Sequence, residues 1–353
     1  MPIAKVHRIS AAGPDDVSGI EAAIAARQIH PAGILAIFGK TEGNGCVNDF
    51  SRGLAVQSLG LMLKEHLGAS AQTVCLVMSG GTEGGMAPHW LVFERAEGEG
   101  TPGPALAIGR THTADLLPED IGRMGQVRQV AAAVRHAMSE AGIHRSQDVH
   151  FVQVKCPLLT MARVAEAKAR GAETATSDTL KSMGLSRGAS ALGIALALGE
   201  VDETALSDAV ICSDLSLYSG RASCSSGIEL MGHEVVVLGM SPDWSGPLAI
   251  DHGVMADAID VAPVRAALGR LGALEGDRLV ALLAKAEASR SGRIRGYRHT
   301  MLDDSDISST RHARAYVAGA LAGLVGLPEI YVSGGAEHQG PDGGGPAAVI
   351  VRR

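Results

Sequence analysis

The chain has 353 residues and a formal net charge of −7, long enough for two or three core-bearing units and without the concentrated basic face that nucleic acid binding requires. Hydrophobic residues make up 46% but aromatics only 3%, which points to cores of Ala, Val, Leu and Ile around 45 glycines, with too few rings to stack bases. MPIAKVHRIS carries no apolar leader and no apolar run reaches the roughly 18 residues of a membrane span, so a cytoplasmic protein without membrane or nucleic acid partners is expected.

The first element is an amphipathic helix over DDVSGIEAAIAARQI, followed by the strand ILAIFGK, which ends at Lys40. After a variable insert, Arg52 opens the small-residue helix SRGLAVQSLGLML. The strand VCLVMSGG then delivers Ser79 and Gly80, and HWLVFE is a last strand. ERAEGEGTPGPA, Glu94 to Ala105, reads as a linker because glycine, proline and charge break periodicity.

The same grammar returns with the helix QVRQVAAAVRHAMSEAG, the strand VHFVQVK to Lys155, and Arg187 in SRGASALGIALAL. RASCSSGIEL supplies Ser226 and Gly227, and EVVVLGM closes the unit. A second break falls at SPDWSGPLAIDHG, Ser241 to Gly253. The third unit runs from the helix VAPVRAALGRLG through LVALLAK to Lys285, a segment that suits helix as well as strand. HARAYVAGALAGLV follows, then EIYVSGG with Ser333 and Gly334, then AAVIVRR. The units are therefore 1–104, 105–249 and 250–353.

Each piece alone has an ordinary explanation. A Ser-Gly after a strand is usually a turn, a lysine ending an apolar run is usually a solvated strand end, and an arginine at a helix start is commonly surface. Recurrence changes the weighing. Lysine, arginine and serine come in one order three times, with lysine-to-serine separations of 39, 71 and 48 residues, so spacing varies while chemistry does not. Internal repetition takes precedence over single motifs, and it predicts α+β units with mixed or antiparallel sheets, arranged with pseudo-three-fold symmetry around one central active site. The five cysteines, Cys46, Cys75, Cys156, Cys212 and Cys224, form no CxxC pair and read as free thiols.

Such a site has a definite chemistry. A serine hydroxyl becomes a nucleophile when a neutral lysine takes its proton. Lysine is ordinarily protonated at neutral pH, so burial and neighbouring cations must favour its neutral form. Arginine's planar fork of donors suits carbonyl and anionic ring oxygens. Backbone N–H groups at each Ser-Gly can hold a developing oxyanion.

The segments IFGKTEGNG, FSRGLA, VMSGGTEG, SRGASALGIALALGE, SGRIRG with RHTMLDDSDI, TRHARA, and SGGAEHQGPDGGGPAAVI together resemble the cyanuric acid hydrolase and barbiturase family of ring-opening amidohydrolases, over essentially the whole chain. The resemblance implies hydrolytic opening of cyanuric acid to carboxybiuret, which decarboxylates to biuret, in s-triazine degradation. It implies Ser226 as nucleophile and Lys155 as its base, with Lys40, Ser79, Gly80, Gly227, Lys285, Ser333 and Gly334 binding substrate. Arg52 and Arg187 carry over directly. In the third unit Arg311 and Arg314 compete, and Arg314 is preferred because Ala315 follows it as glycine follows the other two. No cofactor is implied for catalysis. A structural Mg²⁺ or Ca²⁺ is implied at Glu287, Ala336, Gln339, Gly340, Pro341 and Gly344, and a homotetramer is implied as the assembly.

Three rivals remain at this stage. Barbiturase, which opens barbiturate to ureidomalonate, differs in one ring edge only. A zinc amidohydrolase is disfavoured because the 13 histidines include no HxH or HExxH. A non-catalytic small-molecule binding module would use the same repeats without turnover.

Overall fold

A computed structural model of the chain describes residues 1–98, 100–101, 103–274 and 278–353. The first third contains β1 (Pro2–Ser10), α1 (Ser18–Ala25), β2 (Ile34–Thr41), α2 (Phe50–Leu67), β3 (Cys75–Gly80) and β4 (His89–Glu97). The middle contains β5 (Ala105–His112), α3 (Met124–Glu140), β6 (Val149–Pro157), α4 (Met161–Ala169), α5 (Thr179–Leu198), β7 (Ala222–Gly227) and β8 (Glu234–Ser241). The last third contains β9 (Leu248–Met255), α6 (Ala262–Arg270), β10 (Leu279–Ala286), the short hairpin β11 (Arg293–Ile294) and β12 (Tyr297–Arg298), α7 (Ser309–Val325), β13 (Tyr331–Gly334) and β14 (Gly345–Arg352).

The strands outside the hairpin form three four-stranded sheets, ordered β1-β4-β2-β3, β5-β8-β6-β7 and β9-β14-β10-β13. Counted within each third, that is one strand order used three times. Each sheet is mixed: β2 and β3 run parallel while β4 pairs antiparallel with β2 and β1. A parallel pair needs a crossover rather than a hairpin, which α2, α5 and α7 supply. Asp49 caps α2 by accepting from the Ser51 N–H and Asp178 caps α5 by accepting from that of Lys181. Gly199 and Gly326 end α5 and α7 in the left-handed conformation that an L side chain resists.

One apolar cluster joins all three sheets, bringing together Phe38 and Val77, Val154 and Val235, and Ile250, Leu283 and Tyr331. The opposite face of each sheet is sealed by its own helices, as Leu59 and Leu63 of α2 cover Ile37 and Val92. No helix among the described residues is long and apolar enough to cross a membrane.

Three readings of the sequence change here. Each third opens with a strand, β1, β5 or β9, ahead of the helix taken as its start. The linker placed at Glu94 loses its first residues to β4. Glu94 is fully buried, 3.3 Å from Lys5 Nζ and 3.0 Å from His7 Nε2; Glu99 and Pro102 of that segment lie outside the described residues. LVALLAK is strand, since it pairs with β13 and β14 on both sides.

Both chain ends reach the joints between thirds. The Met1 amino group donates to Gly98 O and the Ser245 N–H donates to Pro2 O. The Arg353 N–H donates to Pro247 O while its guanidinium donates to Pro104 O.

Where β5 meets α3, a Cβ added to Gly109 would lie 1.8 Å from the Ala137 carbonyl oxygen. Neither backbone can yield alone. Gly109→Ala is expected to lower unfolding free energy by about 2 kcal/mol or more, whereas Gly319→Ala, whose Cβ meets nothing within 4 Å on α7, is expected to raise it by about 0.5 kcal/mol. Urea titration of both variants checks the pair of signs.

Candidate active site

The parallel strand pairs set the site. In β2 and β3, Lys40 lies opposite Ser79; in β10 and β13, Lys285 lies opposite Ser333. In β6 and β7, the residue opposite Lys155 is Ser225, and Ser226 lies opposite Cys156. The motif alignment that equated Ser226 with Ser79 and Ser333 is therefore one residue out of register with the strands. Ser226 occupies the place of Gly80 and Gly334, and its hydroxyl donates to Met183 O at 3.2 Å. Side chains alternate across a strand, so that single step turns the second hydroxyl away from the lysine face.

All three lysines are buried, and each donates to a carbonyl belonging to another third. Lys40 Nζ donates to Val332 O at 2.8 Å, Lys155 Nζ to Met78 O at 2.9 Å and Lys285 Nζ to Cys224 O at 3.0 Å. Each accepting residue immediately precedes a serine: Ser333, Ser79 and Ser225. The contacts are cyclic, and they confirm the register. Lys40 Nζ also donates to Ser79 Oγ at 3.3 Å and Lys285 Nζ to Ser333 Oγ at 3.1 Å. Ser225 Oγ touches Ser333 Oγ at 3.1 Å.

A fourth residue recurs beside lysine, arginine and serine. Four positions after each aligned serine stands a glutamate: Glu83, Glu229 and Glu337. Arg314 grips Glu83 with Nε at 2.8 Å and Nη2 at 2.5 Å, and Arg187 grips Glu337 at 2.8 and 2.7 Å. These forks lie against Gly81 and Gly335, where an added Cβ would come within 2.0 Å and 2.4 Å of the guanidinium. Arg52 differs. Its Nη2 donates to Cys46 O at 2.7 Å, and its Nε is 3.9 Å from Glu229 Oε1. Glu229 folds over Gly227 and sets Oε1 2.7 Å from Lys155 Nζ. The spacing Ser-x-x-x-Glu was the signal that could have found both the glutamates and the register.

Burial lowers the ionisation of all three lysines. Lys40 is pushed well down, with the Arg314 charge adding to the effect, and Lys285 is lowered to about 7 by burial and then by Arg187. Lys155 is lowered by burial and Arg52, but Glu229 opposes both. Glu229 and Glu337 stay ionised in spite of burial because of Lys155 and of Arg187.

Gly45, Arg52, Ser79, Gly80, Arg187, Ser225, Ser226, Arg314, Ser333 and Gly334 line one narrow cleft of about 20 Å³. Its enclosed part holds about one water. Larger cavities lie elsewhere, but none of those found is lined by serine and arginine from all three thirds. Arg314 is buried and lines the cleft, whereas Arg311 Nε donates to Ser308 Oγ. Gly227 supports Glu229 rather than lining the cleft.

Beside the cleft, a cavity of about 210 Å³ is lined by Glu287, Ala336, Glu337, Gly340 and Pro341. Burial and the Glu337 charge raise the ionisation of Glu287. Gln339 has its side chain engaged, accepting from the Cys224 N–H at 2.6 Å and donating to Gly335 O at 3.0 Å. Gly344 donates its N–H to Pro341 O. All five cysteines are free.

The profile of a family described as amidohydrolase ring-opening protein matches residues 5–352. A cyanuric acid amidohydrolase of Azorhizobium caulinodans is 77% identical, covering 100% of this chain and 99% of its own. One of Bradyrhizobium sp. is 60% identical, covering 99% and 98%. The crystal structure of cyanuric acid hydrolase from A. caulinodans superposes with a TM-score of 0.97 at 77% identity, over 100% of this chain and 99% of that one. A second cyanuric acid hydrolase structure, described as evolutionary innovation by structural concatenation, gives 0.96 at 51% identity over 100% of both chains.

The buried lysines tie stability to pH. With Lys285 at about 7 in the fold against 10.5 ordinarily, the unfolded chain binds more protons between those values, so stability rises with pH across that window and is lost as pH falls toward 7. Between pH 7 and 9 the wild type is expected to gain on the order of 2 kcal/mol relative to Lys285→Met. Urea unfolding of both proteins at the two pH values reads the difference.

Proposed function

The chain belongs to the family of ring-opening amidohydrolases and is a cyclic amide hydrolase, and on that footing we propose that it opens cyanuric acid at one central site, about which its three units stand in pseudo-three-fold array. The observation that carries this reading is that serine and arginine from each third line one cleft, while a buried lysine stands opposite each serine on the neighbouring strand and bonds the next third in a cycle. Cyanuric acid is a flat ring of three equivalent carbonyls alternating with three nitrogens. One arginine from each third, keeping donors beyond those its protein partners take, and the backbone N–H groups of Gly80, Ser226 and Gly334 match its oxygens.

Ser225, rather than Ser226, is the nucleophile in this reading, and Lys155 is its base. The Ser225 proton passes to Lys155 Nζ as the oxygen attacks one ring carbonyl. The ring C–N bond then breaks, and the leaving nitrogen takes that proton. Water, losing a proton to Lys155, next cleaves the ester, and Ser225 recovers its proton. The product is carboxybiuret, which loses carbon dioxide to give biuret. Lys40 with Ser79, and Lys285 with Ser333, hold the other two edges.

A structural Mg²⁺ or Ca²⁺ fits beside the cleft. Glu287, with raised ionisation and a cavity rimmed by Ala336, Gly340 and Pro341, offers the oxygen donors that hard cations take, with Gly344 adjoining. Gln339 can contribute its carbonyl only, since its side chain is engaged. A bound cation would supply positive charge to this acidic cavity. Millimolar Ca²⁺ or Mg²⁺ is expected to raise the melting temperature of the wild type and to leave Glu287→Gln unchanged, as read by differential scanning fluorimetry.

Turnover of cyanuric acid and barbiturate measured side by side tests the substrate, with biuret as the expected product and barbiturate the poorer substrate. Ser225→Ala is expected to lose kcat by several orders of magnitude and Ser226→Ala far less. A dead Ser226→Ala beside an active Ser225→Ala would restore the motif assignment.

A further inference from the structure

Three lysines in near-equivalent places raise the question of which feature makes one of them the base. Lys40 and Lys285 each hold the serine opposite them and lie in thirds whose glutamate is committed to an arginine. Among the described residues, only Lys155 of the three has a carboxylate within salt-bridge distance. Glu229 reaches it because it occupies, over Gly227, the space that a guanidinium fills over Gly81 and Gly335. Arg52, left without that clamp, turns to the Gly45 and Cys46 carbonyls, and its Nε has no hydrogen-bond partner among the described residues.

We infer that Glu229 is the positioning residue that selects Lys155 as the base, by holding the ammonium that Lys155 forms when it takes the proton of Ser225. A base is most effective when its ionisation lies near the working pH. Burial, with the Arg314 charge adding to it, pushes Lys40 well down with no carboxylate in salt-bridge reach among the described residues to oppose it. The Glu229 carboxylate offsets burial without quenching the base, because Arg52 faces the same pair from the other side. Cys156 on β6 and Glu234 on β8 are the other ionisable groups that act on Lys155. The bridge holds the ammonium state; Lys155 becomes the neutral amine by losing that proton to water, and Nζ then turns from Glu229 toward Ser225 to take the hydroxyl proton. The two outer glutamates, fixed to arginines, position substrate contacts instead.

The inference rests on Ser225 and Lys155 being the reacting pair, so its test has two arms. In the first, pH profiles of kcat/KM, corrected for substrate ionisation, are measured for wild type, Glu229→Gln, Glu83→Gln and Glu337→Gln. Removing the Glu229 charge is expected to move the rising limb to lower pH by one unit or more and to cut kcat at least tenfold. The other two variants are expected to raise KM with the limb in place. An unmoved limb in Glu229→Gln, with only KM raised, overturns the inference. The second arm needs no substrate: Lys155 is titrated by the ¹³Cε resonance of lysine-labelled protein, assigned with Lys155→Arg. A Lys155 midpoint equal in wild type and Glu229→Gln overturns the inference even if the proposed reaction stands; a lowered midpoint in a protein that opens neither ring supports the coupling while refuting the reaction.

Discussion

Three lysine side chains are buried, and each finds its hydrogen-bond acceptor on a neighbouring third of the chain. That requirement governs the rest. A buried amine without an acceptor is strongly unfavourable, and Val332, Met78 and Cys224 supply carbonyls only when all three sheets are closed against one another. The apolar cluster behind them is likewise common to the three sheets. Closing the core and building the site are therefore coupled: a third taken alone loses its lysine's carbonyl acceptor and leaves its inner face uncovered.

The glutamates carry the same cross-linking outward. Glu83 reaches from the first third to Arg314 of the last, and Glu337 from the last to Arg187 of the middle. A guanidinium held by two charge-assisted hydrogen bonds loses freedom before any ligand arrives. Pre-ordered donors around a small planar molecule reduce what binding must later organise. The middle glutamate, turned to a lysine, gives up that stiffness at Arg52 in return for a charge beside Lys155.

Much of this was legible in the residues. Lysine, arginine and serine in one order marked the repeat, and the crossover helices followed from small-residue runs after Arg52 and Arg187. What escaped did so for physical reasons. β1 alternates weakly because most of its residues are only part-buried, so period-two patterning was faint. Glu94 looked like linker charge because nothing local reveals that Lys5 and His7, nearly ninety residues away, pair with it. Ser-Gly recurrence points to Ser226 as the aligned serine, yet register is decided by hydrogen bonding between β6 and β7, and a serine pair leaves that step open. The glutamate four residues on resolves it, once a role for a carboxylate is looked for.

The two chain ends and the two joints lie together. Met1 bonds Gly98, Pro2 bonds Ser245, and Arg353 bonds both Pro247 and Pro104. In topological terms the polypeptide is a ring of three similar segments cut at one of three neighbouring seams, and the cut happens to fall between the last third and the first. A single short linker would therefore suffice to join Arg353 to Met1, because both ends already bond the backbone of the same two joints.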